Sequence, residues 1–142
     1  PVGDLMIVQG PLCFDWKARK KGFLPGIENG SISADRPITP RRVELWIKQH
    51  IHVKGRPEWI FVKVYTHGAQ DRNCEELLKP GGVLDQLYSI LETRYNDGEN
   101  FLLHYVTARE MFNIIKAAEA GETGNPGDYR DYLVKPPPIA GG

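Results

Sequence analysis

At 142 residues, with 41% hydrophobic and 25% charged residues, the chain has the composition of an ordinary folded domain rather than a disordered or fibrous one. Its length falls short of the ~250 residues of a complete eight-unit (β/α) barrel. Eighteen Lys and Arg balance eighteen Asp and Glu, so no net field draws the chain to nucleic acid or to an anionic membrane, and nucleic acid is not an expected partner.

Two cysteines, Cys13 and Cys74, stand in no Cys-x-x-Cys or zinc-ribbon spacing, which argues against a disulfide framework or a structural zinc. No apolar run approaches the ~20 residues that a membrane-spanning helix needs, and no signal segment opens the sequence. The chain therefore reads as soluble, with its compartment open. It begins at Pro1 without Met, which suggests a mature or excised fragment.

In chain order, Leu5-Met6-Ile7-Val8 is a short apolar run closed by Gly10-Pro11, the pattern of a strand buried on both faces. Residues 12–35 hold Gly22, Pro25, Gly26 and an Asn29-Gly30 pair between short apolar stretches, and read as a loop or small hairpin leaving the main sheet. Thr39-Pro40 opens a helix to about His50, with Val43, Trp46, Ile47 and Ile51 as its apolar stripe and Gly55-Arg56-Pro57 barring continuation. Residues 59–66, rich in β-branched and aromatic side chains, form the clearest predicted strand and end at His67-Gly68.

A short helix is expected around 75–78, then, past Pro80-Gly81-Gly82, a longer one carrying Leu84, Leu87, Tyr88, Leu91 and Tyr95 and ended by Asn96-Asp97-Gly98. Residues 101–106 give a third strand. Thr107-Ala108-Arg109-Glu110 is a capping box opening the last helix, lined by Met111, Ile114, Ile115 and Ala118 and closed at Gly121. The expected fold is α/β, a parallel sheet with flanking helices resembling part of a (β/α) barrel, because strand and helix signals alternate. The expected organisation is one domain over 1–121 and an extended or mobile tail over 122–142.

Chemistry in such folds gathers where parallel strands end. His67 follows directly on 59–66 and shares a strand face with Phe61, Lys63 and Tyr65, so its imidazole is a candidate general acid, base or metal ligand, or else a loop side chain that caps a strand end. Lys63 is costly inside a strand unless paired, and it either takes a carboxylate partner such as Asp15 or Glu28 or faces water on an edge. Asp15-Trp16 and Glu28-Asn29 lie in the excursion after the first run, available for acid/base work or substrate hydrogen bonds, with surface solvation as the plain alternative; Asp15, Trp16, Glu28, Lys63 and Tyr65 are the candidate substrate-binding residues. His104, inside an apolar run, suits a core hydrogen bond. His50-x-His52 has metal-like spacing but no third ligand nearby, so no metal ligand is assigned. The basic run from Lys17 to Lys21 suits a solvated face.

The run 59–66 ending at His67-Gly68, a long helix, and then 101–112 with its Val106-Thr107-x-x-Glu110 helix start resemble the end of a polysaccharide deacetylase-like domain. The stretch 41–58 also resembles bacterial barrel proteins of that group associated with exopolysaccharide genes. The resemblance implies hydrolysis of an acyl group on a sugar polymer by a divalent metal held by one Asp and two His, with a separate Asp as base and a late His as acid. Only the late His has a match, at His67, whereas the early Asp-Asp and His-x-x-x-His motifs are absent from the chain.

Two functions are thereby expected to compete. One is the C-terminal portion of a metal-dependent hydrolase of acylated sugar polymers, inactive by itself, whose complete domain would hold the metal and supply a missing N-terminal half. The other is a non-catalytic carbohydrate-binding or protein-interaction module using Trp16, Trp46, Trp59, Tyr65 and Tyr105. Unpaired strand edges and an exposed apolar face would also favour homo-oligomers.

Overall fold

A computed structural model describes residues 5–20, 22–67 and 71–138. The chain falls into two compact units, one of residues 7–51 and 62–103, the other of 52–61 with the chain from His104 onward and residues 5–6.

The first unit holds the one sheet among the described residues, an antiparallel pair of β1 (Cys13–Lys20) and β2 (Leu24–Glu28). The expected parallel sheet with flanking helices is thus corrected to a two-stranded hairpin, placed where the sequence suggested an excursion. Residues 5–8 and 101–106 form no ladder, and 59–66 contributes a single parallel bridge, Tyr65 with Ser31, in which the Ile32 amide donates to the Tyr65 carbonyl at 2.8 Å. The runs have the apolar character of strands, but a strand exists only where a neighbour lies one ladder spacing away, and that neighbour is not encoded locally. Leu5 and Ile7, expected inside a sheet, are 87% and 75% exposed. In 101–106, local and side-chain bonds replace a ladder: the Phe101 carbonyl accepts from Gly98, and the Leu103 amide donates to Asn96.

The helices follow the local signals. In α1 (Pro40–Lys48), the Thr39 hydroxyl accepts from the Arg42 amide at 3.3 Å and Pro40 takes the first turn. His50 at φ 49° turns the chain out in the left-handed region usually reserved for Gly. α2 (Asp71–Leu78) and α3 (Val83–Tyr95) follow, and α3 ends in a turn where Asp97 accepts from the amides of Glu99, Asn100 and Phe101. Ile32, Ile38, Val43, Trp46, Leu77, Val83 and Leu87 form this unit's core, with Val62 and Val64 packed on it.

In the second unit, α4 (Ala108–Glu119) starts with a complete capping box between Thr107 and Glu110. It ends in a Schellman motif: Gly121, at φ 86°, donates to Ala118, and Glu122 donates to Ala117. The segment read from sequence as a tail folds back on this helix. It forms a 3₁₀ helix at Pro126–Tyr129, and Asn113, fully buried, donates to the carbonyls of Arg130 and Val134 while accepting from the amides of Leu133 and Val134. Trp59, Ile114, Ala117 and Ala118 are the core, with Phe61, Val106, Tyr129 and Tyr132 against it. Among the described residues no helix is long and apolar enough to cross a membrane.

Candidate functional site

The hairpin has two unlike faces because successive residues of a strand point to opposite sides. Cys13 pairs with Glu28, and Asp15 with Gly26, on the side facing α1; Phe14 pairs with Ile27 on the other. The register breaks between Asp15 and Lys20. There Gly26 lies so close that a β-carbon would sit 2.6 Å from the Ala18 carbonyl oxygen, which only Gly allows.

On the inner face Glu28 is 4% exposed and accepts from five donors: the amides of Asn29 and Gly30, Arg42 Nε at 2.7 Å, the second Arg42 nitrogen at 3.0 Å and Trp46 Nε1 at 2.9 Å. Arg42 in turn donates to the carbonyls of Ser31, Arg36 and Pro37, and its guanidinium lies 5.4 Å from the Trp46 ring centre. Burial pushes the Glu28 carboxyl up, but the Arg42, Trp46 and Gly30 donors outweigh it, and the net position is below the usual carboxylate range. Asp15 is held by Arg41, whose Nε donates at 3.0 Å, and by the Lys17 amide; the Arg41 hydrogen bond sets its carboxyl low. Two carboxylates of the hairpin thus clamp two consecutive arginines of α1. An open groove of about 310 Å³ beside this clamp is lined by Asp15, Glu28, Arg36, Thr39 and Arg42 among others.

The outer face carries Phe14 and Trp16, each 60% exposed, with ring centres 6.1 Å apart and planes at 56°. Ile27 beside them is 59% exposed. The clamp on the opposite face fixes the strand that displays these rings.

Tyr65 reaches the same region through Asn29, whose side-chain amide donates to the Tyr65 hydroxyl at 3.0 Å and whose oxygen accepts from Arg36 at 2.7 Å. Lys63 Nζ lies 4.7 Å from the Tyr65 ring centre, and the exposed His67 ring meets Tyr65 edge-on at 5.8 Å. The carboxylate partners suggested for Lys63 are therefore committed to Arg41 and Arg42, and the ammonium rests on an aromatic face instead. Asp15, Glu28, Lys63, Tyr65 and His67 all belong to the first unit. Trp16 stands on the reverse of the hairpin from the two carboxylates.

Of the aromatic residues named for a binding module, Trp46 and Trp59 are core, at 2% and 5% exposure, while Tyr105 is 44% exposed in the second unit. Arg41, Arg42 and Phe14 were not singled out from the sequence. Two arginines in the first turn of a helix oppose its dipole, and that was a legible sign that acidic partners were required.

The divalent metal implied by the resemblance needs one Asp and two His. Among the described residues no group of three or more His, Cys, Asp or Glu could hold a cation, and His67 faces Tyr65, so the residues present do not fit that metal. No family model, curated protein or solved structure matches the chain.

Proposed function

We propose that this chain binds a carbohydrate polymer on the outer face of the β1–β2 hairpin, with Trp16 and Phe14 as the platform. The observation that carries the reading is the pair of tilted, 60%-exposed rings on a strand anchored from behind by Asp15–Arg41 and Glu28–Arg42. A sugar ring presents a face of polarised C–H groups that packs on the electron-rich face of an aromatic ring. Two rings held in place by an ion-paired inner face cost little ordering on binding. Their mutual tilt suits successive units of a twisting chain. With two platforms the affinity is expected on the order of millimolar, about 4 kcal/mol.

The test is a calorimetric or NMR titration of the full chain with acetylated and unacetylated sugar oligomers. Trp16→Ala is expected to weaken binding about tenfold or more, as the loss of a central aromatic contact does. Saturable binding with an unchanged constant in both Trp16→Ala and Phe14→Ala would end the proposal.

A catalytic reading has one observation behind it, the exposed His67 at the end of the 59–66 run with its ring on Tyr65. The ligand class is the same, an acylated sugar polymer, and His67 is its general-acid candidate. No metal-dependent step is assigned to these residues. A lone general acid contributes about 10²–10⁴-fold against the ~10⁶-fold or more of an enzyme. Acetate release from acetylated polymers in the presence of zinc, cobalt or manganese is therefore expected near background. Robust turnover that His67→Ala abolishes would establish the catalytic reading in full.

A further inference from the structure

His104 lies in the second unit. Its ring rests against the 3₁₀ helix: a β-carbon on Gly127 would sit 3.2 Å from Cε1 and 3.3 Å from Nδ1. The residue is half-buried, but Nε2 itself is sealed from solvent and has no hydrogen-bond partner. An imidazolium carries N–H on both nitrogens, so protonation would place a charged donor where nothing accepts it. The charges acting on the ring are those of Arg130, which oppose ionisation, and Asp128, which favour it. Glu110 of α4 is engaged with Arg130 and the Thr107 amide. Burial first, then Arg130, outweigh Asp128 and hold the imidazole below its ordinary value.

The ring therefore seats the segment that closes this unit. Arg130 donates to the Tyr105 carbonyl, next in the chain to His104, and residues 130–134 are pinned to Asn113 and Arg109 of α4. Tyr129 in the same segment stacks at 5.7 Å on Trp59. Loss of this seat would uncover aromatic core.

We propose that His104 is a pH-dependent latch: its neutral ring holds residues 126–134 on α4, and its protonation releases them. The direction follows from the lowered value in the docked state. Above the ordinary imidazole value both states are neutral and docking is complete. As pH falls through that value the released state takes up the proton first, and docking weakens.

Hydrogen exchange on the full chain tests this at about pH 7.5 and about pH 5.5, with rates corrected for the intrinsic effect of pH. Protection of 128–134 is expected to fall about threefold or more at the lower pH. In His104→Phe, protection should be the same at both. An NMR titration of the unaltered chain should place His104 below the ordinary imidazole value, and it decides the matter even if the Phe variant does not fold. Protection independent of pH in the unaltered chain, an equal loss in His104→Phe, or titration of His104 at or above the ordinary imidazole value would overturn the latch.

Discussion

Glu28 shows how a side chain chosen from sequence for its chemistry is held by the fold. Its carboxylate and the Arg42 guanidinium are both nearly sealed, at 5% and 11% side-chain exposure. Removing one charge leaves the other buried and alone, so Glu28→Gln is expected to cost about 3–5 kcal/mol in chemical denaturation of the first unit. Because the folded carboxyl sits below its unfolded value, this contribution is fully present above the unfolded value of about 4.3 and is lost as pH falls through the folded one. The same unit should therefore loosen in acid, and Glu28→Gln should flatten that dependence. Asp97, fully exposed, is held at about 2 by the Phe101 amide, the Asn100 side chain and the Glu99 and Asn100 amides. Its turn should persist to lower pH than the Glu28 clamp. The sequence disclosed the carboxylates but not their engagement, because Asp15 and Arg41 lie 26 positions apart and Glu28 and Arg42 lie 14 apart. Only the misplaced arginines after Pro40 hinted at it.

Helix ends were legible because their signals lie within four residues: Thr39 with Pro40, Thr107 with Glu110, and Gly121 closing α4. Thr107→Ala is accordingly expected to lower stability of the second unit by about 1 kcal/mol, read as a fall in its thermal midpoint. Strand pairing is non-local, and this is where the sequence reading failed. Residues 59–66 have every strand property except a ladder partner, and the pairing that did form joins β1 to β2 across a short turn. The segment after Gly121 misled in the opposite way. Its Gly, Pro and charged residues suggest a mobile tail, yet Asn113 supplies both donors and an acceptor to residues 130–134. No periodicity flags an Asn on the buried side of a helix as an anchor. Asn113→Ala takes the acceptor from the Leu133 and Val134 amides, at about 1–3 kcal/mol for each one that stays buried, and leaves the Arg130 and Val134 carbonyls to Arg109 alone. Hydrogen exchange should then show release of 130–134 ahead of α4.

At the scale of the molecule, the outer hairpin surface is apolar and exposed: Phe14, Trp16 and Ile27 are each at least 59% exposed. Such a surface favours association as well as sugar binding. Sedimentation velocity is expected to show a concentration-dependent rise in mass that Phe14→Ser and Trp16→Ser together reduce, and a sharp monomer boundary at high concentration would contradict it. Saturating sugar oligomer should have the same effect as the two substitutions, since both act on one face. The chain's three tryptophans separate this surface from the two cores in a single spectrum: Trp16 lies on the hairpin, Trp46 is bonded to Glu28, and Trp59 is buried against α4. Titrating acetylated and unacetylated sugar oligomers while following the three indole N–H resonances tests the binding proposal most directly. The expected result is a saturable shift of the Trp16 resonance with Trp46 and Trp59 unmoved. A Trp16 resonance that stays fixed to tens of millimolar sugar, well above the on-the-order-of-millimolar affinity expected of two aromatic platforms, would contradict it.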